Sequence, residues 1–283
     1  MSAVRGAKLY VDPGLKQAGR PAAIAAQPTA RWFGDWTIDV RTEADVLVTA
    51  ASGQQALTQI VVYNIPGRDS GGYSAGGIGG SDNYRVWIDE LATGIGRRQA
   101  IVILEPDALA QLLALNEVEQ VQRLADLTYA VEVLTAHTQA FVYIDAGHSA
   151  WHTARDMAVW LQHAGVAKAR GFALNVSNFQ TTEAETAFGD ELAQLLGGKR
   201  YVVDTSRNGQ GPPPEQSGEW WINPAGRGLG APPTTDPPQG KYVDAYLWAK
   251  TPGESDGDSG GAPPAGEWFP AYADMLIANA RAN

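Results

Sequence analysis

Six apolar runs in this chain end in residues able to carry chemistry: Arg68/Asp69, Asp107, Asp145/His148, Asn175/Asn178, Asp204/Arg207 and Glu254/Asp256. The clearest is Ala100-Ile101-Val102-Ile103-Leu104-Glu105-Pro106-Asp107. Its first five residues form the continuous apolar run of a strand buried on both faces. Pro106 has no N–H to give a ladder, so the strand stops there. Two carboxyl groups therefore sit where a buried strand empties into a loop. In parallel α/β folds that end gathers catalytic groups. On this stretch alone Asp107 has two readings. It caps a helix suggested by Ala108–Leu115, as aspartate commonly does, or it is an acid of an active site.

Many chemistries are absent from the remaining residues. There is no cysteine, hence no disulfide, thiolate metal site or cysteine nucleophile. His148 and His152 are four apart without the glutamate of a His-Glu-x-x-His zinc pattern. No Gly-x-Ser-x-Gly elbow and no dinucleotide fingerprint occurs. The glycine-rich stretch Gly71–Gly80 is not followed by Gly-Lys-Ser/Thr, so it is no P-loop. It reads as a mobile active-site loop or as a plain surface loop. What is left is aspartates, carboxamides, a lysine and many tryptophans. Hydrolysis of a glycosidic bond needs little more: one carboxyl kept protonated for the leaving oxygen, and another group to activate water. A neighbouring negative charge or a dry site raises the first acid's pKa. A calcium or magnesium site is the competing use of such carboxylates, but no Asp-x-Asp-x-Asp loop is present. Neither a metal nor a cofactor is expected.

Composition narrows the partners. With 31 acidic and 21 basic residues the net charge is −10, which argues against nucleic acid. No apolar run approaches the length of a membrane span. Nine tryptophans and ten tyrosines supply flat apolar faces with polar edges, which suit sugar rings as well as cores. Met1–Gly6 lacks the apolar core of a signal peptide. A trimmed secreted protein is expected, with an intracellular one as the alternative.

The elements that must position these residues alternate as strand, polar cluster, helix. Strands are expected at Leu57–Asn64, Ala100–Leu104, Gln139–Asp145, Gly171–Asn178, Arg200–Asn208 and Val243–Lys250. Helices are expected at Thr42–Gln54, Tyr84–Ile95, much of Ala108–His137 with a break near Asn116, Thr153–Ala164, Glu183–Leu196 and Trp268–Ala282. Such alternation predicts a parallel sheet with helices outside, open or closed into a barrel. Six polar strand ends would then share one rim. The Pro/Gly-rich section Gly209–Gly240 reads as a long loop inside one domain, because only about 43 residues follow it, near the lower limit for an independent unit. Residues 1–283 are expected to form a single catalytic domain without a binding module or linker.

Six motifs in order make the reading specific. Val61-Val62-Tyr63-Asn64-Ile65-Pro66-Gly67-Arg68-Asp69, Leu104-Glu105-Pro106-Asp107, Tyr143-Ile144-Asp145-Ala146-Gly147-His148-Ser149-Ala150-Trp151, Asn175-Val176-Ser177-Asn178-Phe179, Asp204-Thr205-Ser206-Arg207-Asn208-Gly209 and Lys250-Thr251-Pro252-Gly253-Glu254-Ser255-Asp256-Gly257 resemble family 6 glycoside hydrolases, the inverting cellulases. The resemblance spans the chain from about Tyr10 to its last helix. It implies a distorted, incomplete, seven-stranded parallel β/α barrel with an open cleft. It also implies a monomer that hydrolyses β-1,4-glucan with inversion. By motif position Asp107 matches the general acid, and Asp69 the aspartate that keeps it protonated and is linked to water activation. Asp256 matches the residue assigned as base or as part of the water network, and Tyr63 the tyrosine beneath the cleavage point. Asp145, His148, Asn175, Asn178, Lys250 and Glu254 match substrate-contacting positions. Trp32, Trp151 and Trp221 resemble stacking platforms, with core packing as the alternative for each.

Two departures from the family matter. Ser70 and Ile222 stand where cysteines often occur, and the partner position near Asp258 is not cysteine either. Lost bridges would remove about 2–4 kcal/mol each but leave the catalytic groups untouched. They also weaken the case for an oxidising compartment. The segments after Asn178 and after Asp256 are short, whereas long ones roof the tunnel of chain-end-acting members. An endoglucanase is therefore expected. A cellobiohydrolase and a non-catalytic glucan-binding protein are the alternatives.

Overall fold

The computed structural model describes residues 4–280. The reading of the amino-terminal Met1–Ala3 and the predicted helix end at Ala282 lie outside them. The strands are β1 (Lys8–Leu9), β2 (Arg31–Phe33), β3 (Ala56–Val62), β4 (Ala100–Leu104), β5 (Phe141–Asp145), β6 (Gly171–Leu174), β7 (Arg200–Asp204) and β8 (Val243–Leu247). Two one-turn helices, α1 (Gly14–Gln17) and α2 (Ala22–Ala25), precede α3 (Val40–Gly53), α4 (Ser81–Ile95), α5 (Glu117–His137), α6 (Ala154–His163), α7 (Thr182–Leu195) and α8 (Pro270–Ala278).

All these strands pair in parallel. β1 and β2 lie one after the other along the same edge of β3, so eight strands fill seven positions in the sheet. This is the predicted seven-stranded arrangement, its first position split between two short strands. The sheet curls until its two edges meet at one rim. There Thr29 and Trp248 form a single bridge, and Ala30 N–H donates to the Trp248 carbonyl at 3.0 Å. No β2–β8 ladder forms among the described residues, so the barrel is incomplete.

Burial on both faces accounts for the apolar runs. Val61, Ile101, Ile103, Tyr143 and Val202 fill the barrel interior. Their alternates Val62, Val102, Leu104, Ile144 and Val203 pack outward against the helices, including Leu91, Leu134, Leu161 and Leu192. Side chains alternate along a strand, so both apolar sets come from the same runs. Four helices start on side-chain caps that satisfy their first N–H groups. Asp39 caps α3, Asn116 with Glu119 forms a capping box on α5, Thr153 caps α6 and Thr181 caps α7.

One expected element does not form. Ala108–Leu115 is a run of turns with a short 3-10 segment at Leu112–Ala114, and α5 begins only after Asn116. No α-helix begins at Asp107, so its side chain caps nothing. The section 209–240 contains no helix or ladder strand but packs onto the sheet. Asn208 bridges to Gly228 and Thr234 to Tyr246, and both Thr205 Oγ1 and Trp248 Nε1 donate to the Ala231 carbonyl.

Candidate active site

Because every strand runs the same way, the six polar strand ends converge on one rim, around a cleft of about 1520 Å³. Asp107, Asp69, Asp256 and Tyr63 all line it. So do Trp32, Trp151 and Trp221, together with His148, Asn178, Lys250 and Glu254. Asp145 and Asn175 do not. The chain reaches this arrangement through strained turns. Among the described residues eight non-glycine residues have positive φ, and seven of them lie in loops at this rim: Asp69, Ser70, Glu105, Asp107, Asn175, Ser177 and Asn223. Such backbone costs energy and persists only where the surroundings hold it.

A set of inward-turned carboxylates does that holding. Glu105, fully buried at the end of β4, accepts N–H groups from Asn64 at 2.9 Å and Ile65 at 3.0 Å, and the Tyr84 hydroxyl at 2.9 Å. It thereby fixes the exit of β3, which carries Tyr63 and Asp69. Asp145, at the end of β5, accepts the N–H of Asp107 at 2.9 Å and of Gly147 at 3.0 Å. Asp204, at the end of β7, accepts from Ser177 and Lys250, both at 3.0 Å, fixing the exits of β6 and β8. Each carboxylate steadies a neighbouring strand's exit loop. Asp145 and Asn175, expected to contact substrate, are instead buried beneath the cleft lining. Asp145 is 1% exposed, with one oxygen committed to two backbone donors. Asn175 is fully buried: its amide nitrogen donates to the Gln180 and Asp204 carbonyls, and its oxygen accepts from Gln180 N–H.

The two principal acids in the cleft have opposite environments. Among the described residues Asp107 has no ion-pair partner; burial, then the nearby charge of Asp69, pushes its pKa up to about 7. Burial would also raise Asp256. There, however, Arg207 Nη1 reaches both carboxylate oxygens at 2.9 and 2.7 Å, Lys250 Nζ lies 3.6 Å away, and Asn223 N–H donates at 3.0 Å. The net effect holds the Asp256 carboxyl below its ordinary range. Arg207 is itself fully buried beneath it. Asp69 accepts the Ser74 N–H at 2.7 Å, and Gly72 is needed beside it because a Cβ there would lie 2.5 Å from its Oδ2.

Arg68 ties the glycine-rich loop to the sheet. It donates to Asp35, to the Ser74 carbonyl and to the Tyr63 carbonyl. Gly77 lets the same loop pass the β3 exit, since a Cβ there would lie 2.0 Å from the Ile65 carbonyl oxygen. On the opposite wall His148 is desolvated and lies near His152, which lowers its pKa to about 4, and its ring packs 5.2 Å from Trp151. Among the described residues no three His, Cys, Asp or Glu side chains are grouped to hold a metal ion.

Several lining residues escape a reading from strand ends. Trp36, Tyr73, Glu219 and Trp220 all lie in loops. Tyr73 donates to Glu219 at 2.9 Å, joining the glycine-rich loop to the 209–240 section. Glu185, on α7, is a buried acid pushed up to about 7 by desolvation, and it accepts the Ser149 N–H at 2.8 Å behind the His148–Trp151 loop. For Trp36, Tyr73, Glu219 and Trp220 the sequence signal was residue type alone, because loop placement carries no periodicity.

Comparison with known proteins agrees with this geometry. The chain is 45% identical over 262 residues to Endoglucanase A of Cellulomonas fimi, covering 91% of this chain and 56% of that protein. It is 44% identical over 265 residues to Endoglucanase 1 of Streptomyces halstedii, covering 90% and 80%. It thus spans little more than half the length of the Cellulomonas protein. Its fold matches the endoglucanase Cel6 of Mycobacterium tuberculosis, solved in complex with methyl-cellobiosyl-4-deoxy-4-thio-β-D-cellobioside. The TM-score is 0.92 with 42% identity, covering 97% of each chain. The profile described as Glycosyl hydrolases family 6 matches residues 3–280, nearly the whole chain. With the six motifs in order on one rim of an incomplete parallel barrel, the chain belongs to glycosyl hydrolases family 6.

Proposed function

We propose that this chain hydrolyses internal β-1,4-glucosidic bonds of cellulose and soluble β-glucans with inversion at the anomeric carbon. The observation that carries this reading is the opposite treatment of two acids in one cleft. Asp107 is partly withdrawn from solvent and unpaired among the described residues, whereas Asp256 is held charged by Arg207 and Lys250. Paired carboxyls pushed apart in this way mark a proton donor and an anionic partner. Asp107 gives its proton to the glycosidic oxygen as the C1–O bond breaks. Water adds to C1 from the other face and loses its proton to the carboxylates there. Asp256 already accepts from Arg207 through both oxygens and from Asn223, which weakens it as a direct base. Its role in this account is to be the anionic end of the water network, with Asp69 nearer the attacking water.

An endo-acting enzyme is favoured over a cellobiohydrolase because the loops that could roof the cleft are short. Residues 175–181 separate β6 from α7, and Trp151 and Trp221 stand 37% and 46% exposed in the cleft. Relatives of this chain are named endoglucanases. We place its action outside the cell, where polymeric glucan is met; recovery of activity from cells rather than culture fluid would contradict that. No helix among the described residues is long and apolar enough to cross a membrane. Proton NMR of the first turnovers checks the mechanism. The α-anomer of the new reducing end should appear before mutarotation, and a β-anomer appearing first would rule inversion out.

A further inference from the structure

We propose that Trp36 is an additional glucan-stacking platform of this cleft, recognising a β-glucose ring beside the Tyr63 position. The inference rests on the glucanase reading above and deepens it. Among the described residues three tryptophans are exposed, Trp36 at 52%, Trp151 at 37% and Trp221 at 46%, and all three line the same cleft. Trp151 and Trp221 match sugar platforms by motif; Trp36 matches none and lies in the turn after β2. Tryptophan pairs an apolar face with a polar edge, as sugars require.

The seat under Trp36 is built. Its ring packs against Gly34, where a Cβ would come within 2.5 Å of the indole. The Arg68 guanidinium lies over the Trp36 ring at 4.9 Å and over the Tyr63 ring at 5.1 Å, so one cation fixes both aromatics. Arg68 is itself 7% exposed and anchored to Asp35 at 2.7 Å, in the same turn as Trp36. Trp32 stands edge-on to Tyr63 at 5.3 Å, which makes Trp32, Tyr63 and Trp36 a run of rings along one wall. A ring held this firmly loses little freedom on binding, which is what preorganisation contributes to affinity.

Trp36→Ala and Trp36→Phe tested on cellotriose, cellotetraose, cellopentaose and cellohexaose decide the matter. Because stacking is made equally in ground and transition states, Trp36→Ala should raise KM by about fivefold to tenfold on the longer substrates, with kcat little changed. Trp36→Phe should recover most of the loss. Calorimetric titration of cellohexaose into the Asp107→Asn background should show the same drop when Trp36→Ala is added. Unchanged KM at every length overturns the proposal. So does a fall in kcat equal on all lengths, which would mark the ring as mere support for Arg68. If the unsubstituted chain neither binds nor cleaves any of these oligosaccharides, the glucanase reading fails and takes the platform with it.

Discussion

Asp145 accepts the backbone N–H of Asp107 at 2.9 Å and lies buried behind the cleft lining to which Asp107 belongs. A carboxylate that looks like a second active-site acid in the sequence is thus the brace of the first. Asp107 holds φ at 68° in this position, a conformation that its own side chain disfavours. Asp145 also lies close enough to interact electrostatically with Asp107, and its own pKa is raised by burial first and Asp107 second. Geometry and proton affinity are therefore set together.

That coupling makes the pH profile diagnostic. Asp107 must be protonated to act, and its pKa is pushed up to about 7, so kcat/KM should fall as pH rises through about 7. Asp69→Asn removes the negative charge beside it, so the falling limb should move to lower pH, with lower activity overall. A limb that stays in place in Asp69→Asn would mean that burial alone sets the acid. The stability linkage has the same sign. A folded pKa above the unfolded value stabilises at low pH, and that stability is lost as pH rises through the folded pKa.

Glu105 joins the β3 and β4 exits. Glu105→Ala leaves the N–H groups of Asn64 and Ile65 and the Tyr84 hydroxyl without their acceptor. Each buried orphan costs about 1–3 kcal/mol, so the variant should be destabilised by at least about 3 kcal/mol in urea. Tyr84→Phe removes one of the three bonds and should cost about 1 kcal/mol. Equal losses in the two variants would show that Glu105 does not hold the β3 exit.

Arg207→Met should leave Asp256 as a buried acid paired only with Lys250 at 3.6 Å. Breaking one partner of a buried pair costs about 3–5 kcal/mol, measurable by chemical denaturation at pH 7. The loss should shrink at acid pH, where Asp256 takes up a proton. A loss independent of pH would assign the effect to packing against Phe179, over whose ring the guanidinium lies at 4.5 Å.

The strands were legible because burial on both faces writes them as continuous apolar runs, and parallel pairing then puts their polar ends on one rim. Less legible was which way each end residue turns. Leu104 and Ile144 are paired at the ends of β4 and β5, so Glu105 and Asp145 stand at equivalent places and both brace a neighbouring loop, whereas Asp107, two residues on, lines the cleft after a turn with positive φ at Glu105 and Asp107. Asn175, the first residue beyond β6, is buried in the same way. The helix expected from Ala108 did not form, since Ala108–Leu112 pack as successive turns, mostly buried, and the true start signal is the Asn116–Glu119 capping box. Trp36 and Tyr73 were invisible as site residues, because loop contacts between distant segments leave no local pattern.

The central claim is that Asp107 delivers the proton. The most direct measurement compares Asp107→Ala with the unsubstituted chain on two substrates, a cello-oligosaccharide and an aryl cellobioside whose leaving group needs no proton. General-acid assistance is worth about 10²- to 10⁴-fold. A loss of that size is expected on the oligosaccharide and a much smaller one on the aryl glycoside. Equal hydrolysis of the oligosaccharide by both proteins, or equal losses on both substrates, would contradict it.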